Sequence, residues 1–228
     1  MFLSKITLFE NIATSHQHSR LGEVSEYRIH QYLWELFPET PKGERPFLYR
    51  QEVERALPFF YVLSKIPPMD IKGHWNIESR EFNPALKEGD RLAFSLRANP
   101  IVTKKDEHGK ARRHDVVMEA KTQLRKIGIP KESWPSQATL EWDASVKWLT
   151  TRSSKGGFKI DPNGIEVFGY RQLRMEKRKS TEPIRISVVD FQGVLVVTEP
   201  SVFLKDSVFS GIGAAKGFGC GLMMLKRI

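Results

Sequence analysis

Glu26-Tyr27-Arg28-Ile29-His30-Gln31-Tyr32-Leu33-Trp34-Glu35-Leu36-Phe37-Pro38 has a helical period, with Ile29, Leu33 and Leu36 at i, i+4 and i+7 and a proline that ends it. Upstream, Phe2-Leu3-Ser4-Lys5-Ile6-Thr7-Leu8-Phe9 is short and rich in β-formers, so it reads as a strand, followed by a polar stretch from Asn11 to Gly22. Downstream, Phe47 to Val53 and Pro58 to Ser64 read as two strands joined by a short turn. After a stretch rich in proline and glycine, Arg91-Leu92-Ala93-Phe94-Ser95-Leu96-Arg97 alternates as a further strand and stops at Asn99-Pro100. The order β, α, β, β, β matches the split βαβ of ferredoxin-like folds, with a distorted second helix expected between Ile66 and Glu88.

The second half repeats the order. A charged tip, Lys104 to Arg113, is followed by an expected insertion near 121–140 and a helix from Glu141 to Arg152 that closes at Gly156-Gly157. Strands are expected at Ile165 to Leu173 and at Ile184 to Val197, the latter as two short runs turning at Gln192-Gly193. A short helix after Pro200 leads into a glycine loop and a terminal strand. The fold class is therefore α+β, as two tandem ferredoxin-like (RRM-like) domains, 1–97 carrying the Tyr27/His30 helix and 98–228 carrying the glycine loop.

That loop, Gly211-Ile212-Gly213-Ala214-Ala215-Lys216-Gly217-Phe218-Gly219-Cys220-Gly221, places five glycines and a lysine in eleven positions. Glycine serves where the backbone takes positive φ or lies close to another surface, so the cluster is expected to offer amide donors to a phosphate. It is not a P-loop, because Lys216 precedes Gly217 and no Ser or Thr follows. Nor is it a dinucleotide fingerprint: the spacing is GxGxxxG and too little chain remains for a helix, a strand and a ribose-binding acid. A tight helix–strand connection would account for one or two of the glycines.

Over 228 residues, 36 Lys and Arg against 27 Asp and Glu give a formal charge of +9, a balance that favours a polyanionic partner. The single cysteine, Cys220, excludes an intramolecular disulfide and any multi-cysteine zinc site, and fits a reducing cytoplasmic setting. No run approaches a membrane span, and the first residues lack a secretory pattern. The expectation is a soluble protein.

Tyr27 and His30 lie three apart on the helix, on neighbouring surface positions. With Ile29 at the centre of the buried face, His30 falls near its edge and Tyr27 beyond it. An imidazole exchanges protons near neutral pH, and a neighbouring phenol can orient it, share the proton or hold a phosphate oxygen. By itself such a pair on a helix is ordinarily a half-buried aromatic contact. His16, His18, His74, His108 and His114 read as solvated, and no third ligand accompanies His16-x-His18 at metal spacing. Arg171, Arg174, Lys177, Arg178 and Lys179 cluster at the tip of an expected hairpin, which is either a nucleic-acid probe or a solvated turn. No run matches the aromatic signature of base-stacking RRM sheets, so an RNA partner would be read through shape and phosphate.

Glu26 to Pro38, Phe94-Ser95-Leu96-Arg97-Ala98-Asn99-Pro100, Phe191-Gln192-Gly193-Val194-Leu195 and the glycine loop occur in an order that resembles the CasE family, the repeat-processing endoribonucleases of type I-E CRISPR systems. The resemblance spans nearly the whole chain. It implies paired ferredoxin-like domains and cleavage of the CRISPR transcript without metal or cofactor, at the 3′ base of the repeat stem-loop. It also implies a protein that is monomeric when free and stays with its product RNA among the other Cascade subunits. The family's histidine carries over to His30 and its tyrosine to Tyr27. Some members have a lysine one helical turn beyond the histidine, where this chain has Glu35, which leaves the phosphate-stabilising cation open. Arg28, Arg97, Arg112 and Arg113 join the hairpin cations and the loop residues Gly211, Gly213, Lys216, Gly217 and Gly219 as candidate RNA contacts. A non-catalytic RNA-binding subunit is the rival reading, separated from the nuclease by Tyr27 and His30.

Overall fold

The computed structural model of the chain describes residues 1–9, 26–41, 44–54, 57–175 and 183–228, with the backbone alone at 26–28 and 57. Strands β1 (Phe2–Leu8), β2 (Phe47–Glu54), β3 (Leu57–Ser64) and β4 (Trp75–Glu81) form an antiparallel sheet in the order β2-β3-β1-β4. This is the ferredoxin order. Helix α1 (Glu26–Trp34) covers one face, because the period-2 strands put Ile6, Phe47, Tyr49, Phe60, Val62 and Trp75 on the side that meets Ile29, Leu33 and Leu36. Leu48 and Leu63 point the other way, into the larger core.

The helix expected after β3 does not form. Between Ser64 and Trp75 the chain carries Pro67-Pro68, which supply no N–H donors. Asp70 then ties the segment into turns, accepting from the amides of Lys72 and Gly73 (both 3.1 Å) and of Trp75 (2.6 Å). The sheet's fourth strand is β4, an edge strand in which Trp75 alone is buried, so its sequence lacks a clear alternation. Arg91–Ala98, expected to close the first domain, is β5 of the second sheet. The division between sheets falls between Glu81 and Arg91.

The second sheet joins β5 to β8 (Phe158–Ile160), β9 (Glu166–Met175), β10 (Ile184–Val197) and β11 (Met223–Arg227) in the order β11-β5-β10, with β8 and β9 sharing the far edge of β10. The ferredoxin order thus recurs, with β5 as first strand. β10 runs unbroken through Gln192-Gly193, where a turn was expected. Gly193 is there for close approach: a Cβ would stand 2.9 Å from the Gly164 carbonyl oxygen and 3.2 Å from the Phe94 ring. Between β5 and β8 lie the hairpin β6 (Ile101–Lys105)/β7 (Ala111–Asp115) and helices α2 (Val116–Lys126) and α3 (Gln137–Ser153). The expected insertion at 121–140 is the end of one helix and the start of the next. Asp115 caps α2 through the amides of Val117 and Met118, and Ser136 caps α3 through Thr139, starting that helix four residues before Glu141. After β10 a short helical turn, Pro200–Val202, continues as a π-helix over Phe203–Phe209.

The two sheets meet face to face. Arg50 of β2 donates to Ser95 of β5 (2.8 Å), and Arg97 of β5 donates back to the Gln51 carbonyl of β2 (3.1 Å). Leu48 and Leu63 share one buried cluster with Leu92, Phe94, Leu96 and Leu222. Among the described residues no helix is long and apolar enough to cross a membrane.

Candidate nucleic-acid interface

The glycine loop is built across the seam between the two domains. Gly211, Gly213, Gly219 and Gly221 all take positive φ, joined by Ala215 at 55°. The four glycines also bring the backbone against side chains, Gly221 against Lys216 within the loop itself. A Cβ on Gly213 would meet the Trp148 ring of α3 at 3.1 Å; one on Gly211 would meet Leu48 at 2.8 Å and one on Gly219 the Tyr49 ring at 3.3 Å, both on β2. Tyr49 fastens the loop by donating its hydroxyl to the Gly217 carbonyl (3.1 Å). Close packing thus accounts for much of the glycine content. The amides of Ile212, Phe218 and Gly221 are already bonded, to Gly221, Ala215 and Arg97.

Held this way, the loop delivers Lys216 and Phe218 to α1. The Phe218 ring lies 6.2 Å from the His30 ring, centroid to centroid. One turn along α1, the Trp34 indole N–H donates to His30 Nε2 at 2.9 Å, so the neutral ring carries its proton on Nδ1. Nδ1 is buried and has no partner among the described residues. Burial pulls the His30 imidazole below its ordinary value, and the Arg45 guanidinium lowers it further. Lys216 is lowered by the same two causes, while its Nζ donates to the Ser210 carbonyl (2.6 Å). Burial also lowers Arg45, against a smaller opposing effect of Tyr49.

Arg45 is the residue that sequence reading missed. It stands alone in a polar stretch before β2, in no period or motif, and only the fold sets its Nη2 2.7 Å from where a Gly217 Cβ would be. His30, Arg45 and Lys216 therefore converge on one seam, and among the described residues none has a carboxylate partner. Arg45 and Lys216, cations without a counter-charge among the described residues beside the His30 imidazole, form a site for an anion. Among the described residues no group of His, Cys, Asp and Glu has metal-binding geometry. Glu35 is paired with Lys72 at 2.8 Å, which neutralises that acid beside the loop after β3.

Other candidates fall elsewhere. Tyr27 and Arg28 are on α1, with side chains outside the described residues; Lys177, Arg178 and Lys179 are outside them altogether. Arg97 and Arg171 do not extend free into solvent. Asp190, nearly buried on β10, takes Arg97 at 2.8 Å and Arg171 at 3.3 Å, so one carboxylate partly neutralises both at the joint between the sheets. Arg174 is exposed on β9, in register with Arg185. Arg112, paired with Asp106 at 3.0 Å, and Arg113 belong to the separate β6/β7 hairpin.

Two ferredoxin-like domains with a seam whose cations have no carboxylate partner among the described residues make this a protein built to hold a polyanion. A family model described as CRISPR associated protein matches residues 1–227, and the chain belongs to that family. It is 28% identical over 230 residues to the CRISPR system Cascade subunit CasE of Escherichia coli (strain K12), covering 100% of both chains. It is 27% identical to the CRISPR-associated endoribonuclease Cse3 of Thermus thermophilus, covering 98% of each. A solved structure of the CRISPR endoribonuclease Cse3 bound to a 19-nucleotide RNA superposes with a TM-score of 0.71 at 25% identity, over 100% of both chains.

Proposed function

We propose that the chain is a metal-independent endoribonuclease that cuts CRISPR precursor RNA within each repeat, at the 3′ base of the stem-loop, and keeps its product as a Cascade subunit in the cytoplasm. The observation that carries this reading is His30 at the seam beside Arg45 and Lys216, in a chain that matches endoribonuclease Cse3 almost end to end. The reaction uses the RNA's own nucleophile. The 2′-oxygen attacks the adjacent phosphorus, the bond to the 5′-oxygen breaks, and the products are a 2′,3′-cyclic phosphate and a 5′-hydroxyl.

Three services are needed: a proton acceptor at the 2′-hydroxyl, a proton donor at the 5′-oxygen and positive charge on the phosphate. With its pKa below the ordinary 6.5, His30 is neutral at pH 7 and fits the acceptor role. To act, its Nε2 exchanges the Trp34 N–H for the ribose hydroxyl. Tyr27, one turn before His30, is the proposed orienting or proton-donating partner. Arg45 supplies the cation that the family lysine provides in some members, with Lys216 beside it. Arg174, Lys177, Arg178 and Lys179 add backbone contacts to the stem. Cleavage of a labelled repeat stem-loop in EDTA tests the reading: the expected upstream product ends in a 2′,3′-cyclic phosphate, and a 2′-deoxyribose at the cut abolishes the reaction. A strict magnesium requirement or a free 3′-hydroxyl product overturns it.

A further inference from the structure

Arg45 and Lys216 have a second side. Away from His30 they edge an open cleft of about 370 Å³ between β2, β3 and the end of the π-helix. Its apolar lining includes Phe47, Leu63 and Phe209, and Lys65 adds a third cation to the rim. The walls are set by packing: Phe47 is buried and stacked on Phe37 at 4.7 Å, Leu63 belongs to the larger core, and Phe209 meets Phe82 edge-on at 6.4 Å. Among the described residues no acid pairs with Arg45, Lys65 or Lys216.

We infer that this cleft is a subsite for one unstacked RNA nucleotide next to the scissile phosphate, its base against the apolar walls and its phosphate on the Arg45–Lys65–Lys216 rim. The inference rests on the RNA-cleavage reading above and extends it to substrate selection. An inorganic anion would leave the apolar walls unused, and an apolar ligand would leave the three rim cations without a counter-charge. A nucleotide satisfies both. The cleft lies at the lower end of the roughly 300–1,000 Å³ typical of small-ligand sites, room for a flipped-out nucleotide and none for a duplex. Continuity through Arg45 and Lys216 ties the subsite to the position where chemistry occurs, so an occupant there sets which phosphodiester reaches His30.

The test uses a repeat stem-loop RNA, intact or with an abasic ribose immediately before or after the cut, and reads both dissociation constants and single-turnover rates. The enzymes are wild type, Ser210→Trp, which fills the cleft from an exposed lining position, and Lys65→Glu, which reverses a rim charge. One abasic position is expected to weaken wild-type binding by about 10-fold, the size of a lost base–apolar stacking contact. Ser210→Trp should weaken intact RNA similarly and erase the difference between intact and abasic RNA. Lys65→Glu should weaken both RNAs by the same factor. The subsite is overturned if wild type tolerates both abasic positions, if a normally melting Ser210→Trp protein binds as wild type, or if that variant still discriminates intact from abasic RNA. Should Ser210→Trp fail to fold, the abasic series in wild type decides alone. Absence of wild-type cleavage with these binding differences retained would instead sink the nuclease reading and leave the subsite standing.

Discussion

The Trp34 indole N–H donates to His30 Nε2 at 2.9 Å across one turn of α1, with the two rings edge to face at 5.9 Å. This bond holds the lone pair that the proposed base needs, and it favours the neutral ring over the charged one. Trp34→Phe keeps a ring against Phe47, which Trp34 now contacts at 5.6 Å, but removes the donor. The variant should show a raised His30 pKa by NMR titration and an acid limb of the pH–rate profile moved to higher pH. An unchanged titration would mean that the bond does not bias the ring's protonation.

His30→Ala should slow single-turnover cleavage by on the order of 10²-fold or more, the usual cost of a missing general acid or base, with a small change in affinity. The same residue should leave a mark on stability. Its folded pKa is depressed below 6.5, so the unfolded chain binds the extra proton more readily. Its contribution is therefore fully present above pH 6.5 and is lost as pH falls through 6.5 toward the lower folded-state value. Melting temperatures of wild type should fall across that window more steeply than those of His30→Ala; parallel curves would contradict the depressed value.

Where side-chain period and composition carry the information, the sequence was enough. α1, β2, β3 and the alternating Leu92, Phe94, Leu96 of β5 are visible because each presents a buried face at its own period. β4 is hidden because an edge strand with one buried residue has little alternation to read, so β5 reads as the closing strand of the first sheet although it belongs to the second. The site was half visible. His30 and Lys216 stood out by motif, whereas Arg45 acquires its role only when the glycine loop folds back across β2, a contact between residues 45 and 217 that no local pattern encodes.

The Asp190 carboxylate, 7% exposed, holds two arginines, one of which reaches the first sheet through the Gln51 carbonyl. Asp190→Ala leaves both partly exposed arginines without their counter-charge and should cost about 1–3 kcal/mol, the range for lost hydrogen bonds to a charged group when solvent can take up the remaining charges. Arg97→Ala should cost less, since Arg171 remains to neutralise the acid. The double variant should be less destabilised than the sum, which a urea-unfolding cycle would measure. Additive losses would show that Arg97 acts mainly through Gln51.

The glycines of the loop should separate into two kinds. Gly211 combines φ of +73° with Leu48 at 2.8 Å and the Gly221 carbonyl oxygen at 3.0 Å from a Cβ, so Gly211→Ala meets strained backbone and fixed neighbours together. That change should lower stability by at least about 1–2 kcal/mol, the left-handed penalty alone, and weaken RNA binding only as far as it loosens the seam. Gly217 does not lie at positive φ, and what its Cβ would meet is the far end of Arg45, at 2.7 Å from Nη2. A long arginine can swing aside at little cost, so Gly217→Ala should melt within a degree or two of wild type, as expected for a change of under about 0.5 kcal/mol. Its effect should appear in chemistry: with Arg45 displaced from the seam, the cleavage rate falls and the His30 pKa rises toward its ordinary value. Paired melting curves and single-turnover rates distinguish the two variants. If Gly217→Ala cuts at the wild-type rate while Gly211→Ala unfolds early, the loop is a structural clasp and Arg45 is not the cation at the phosphate.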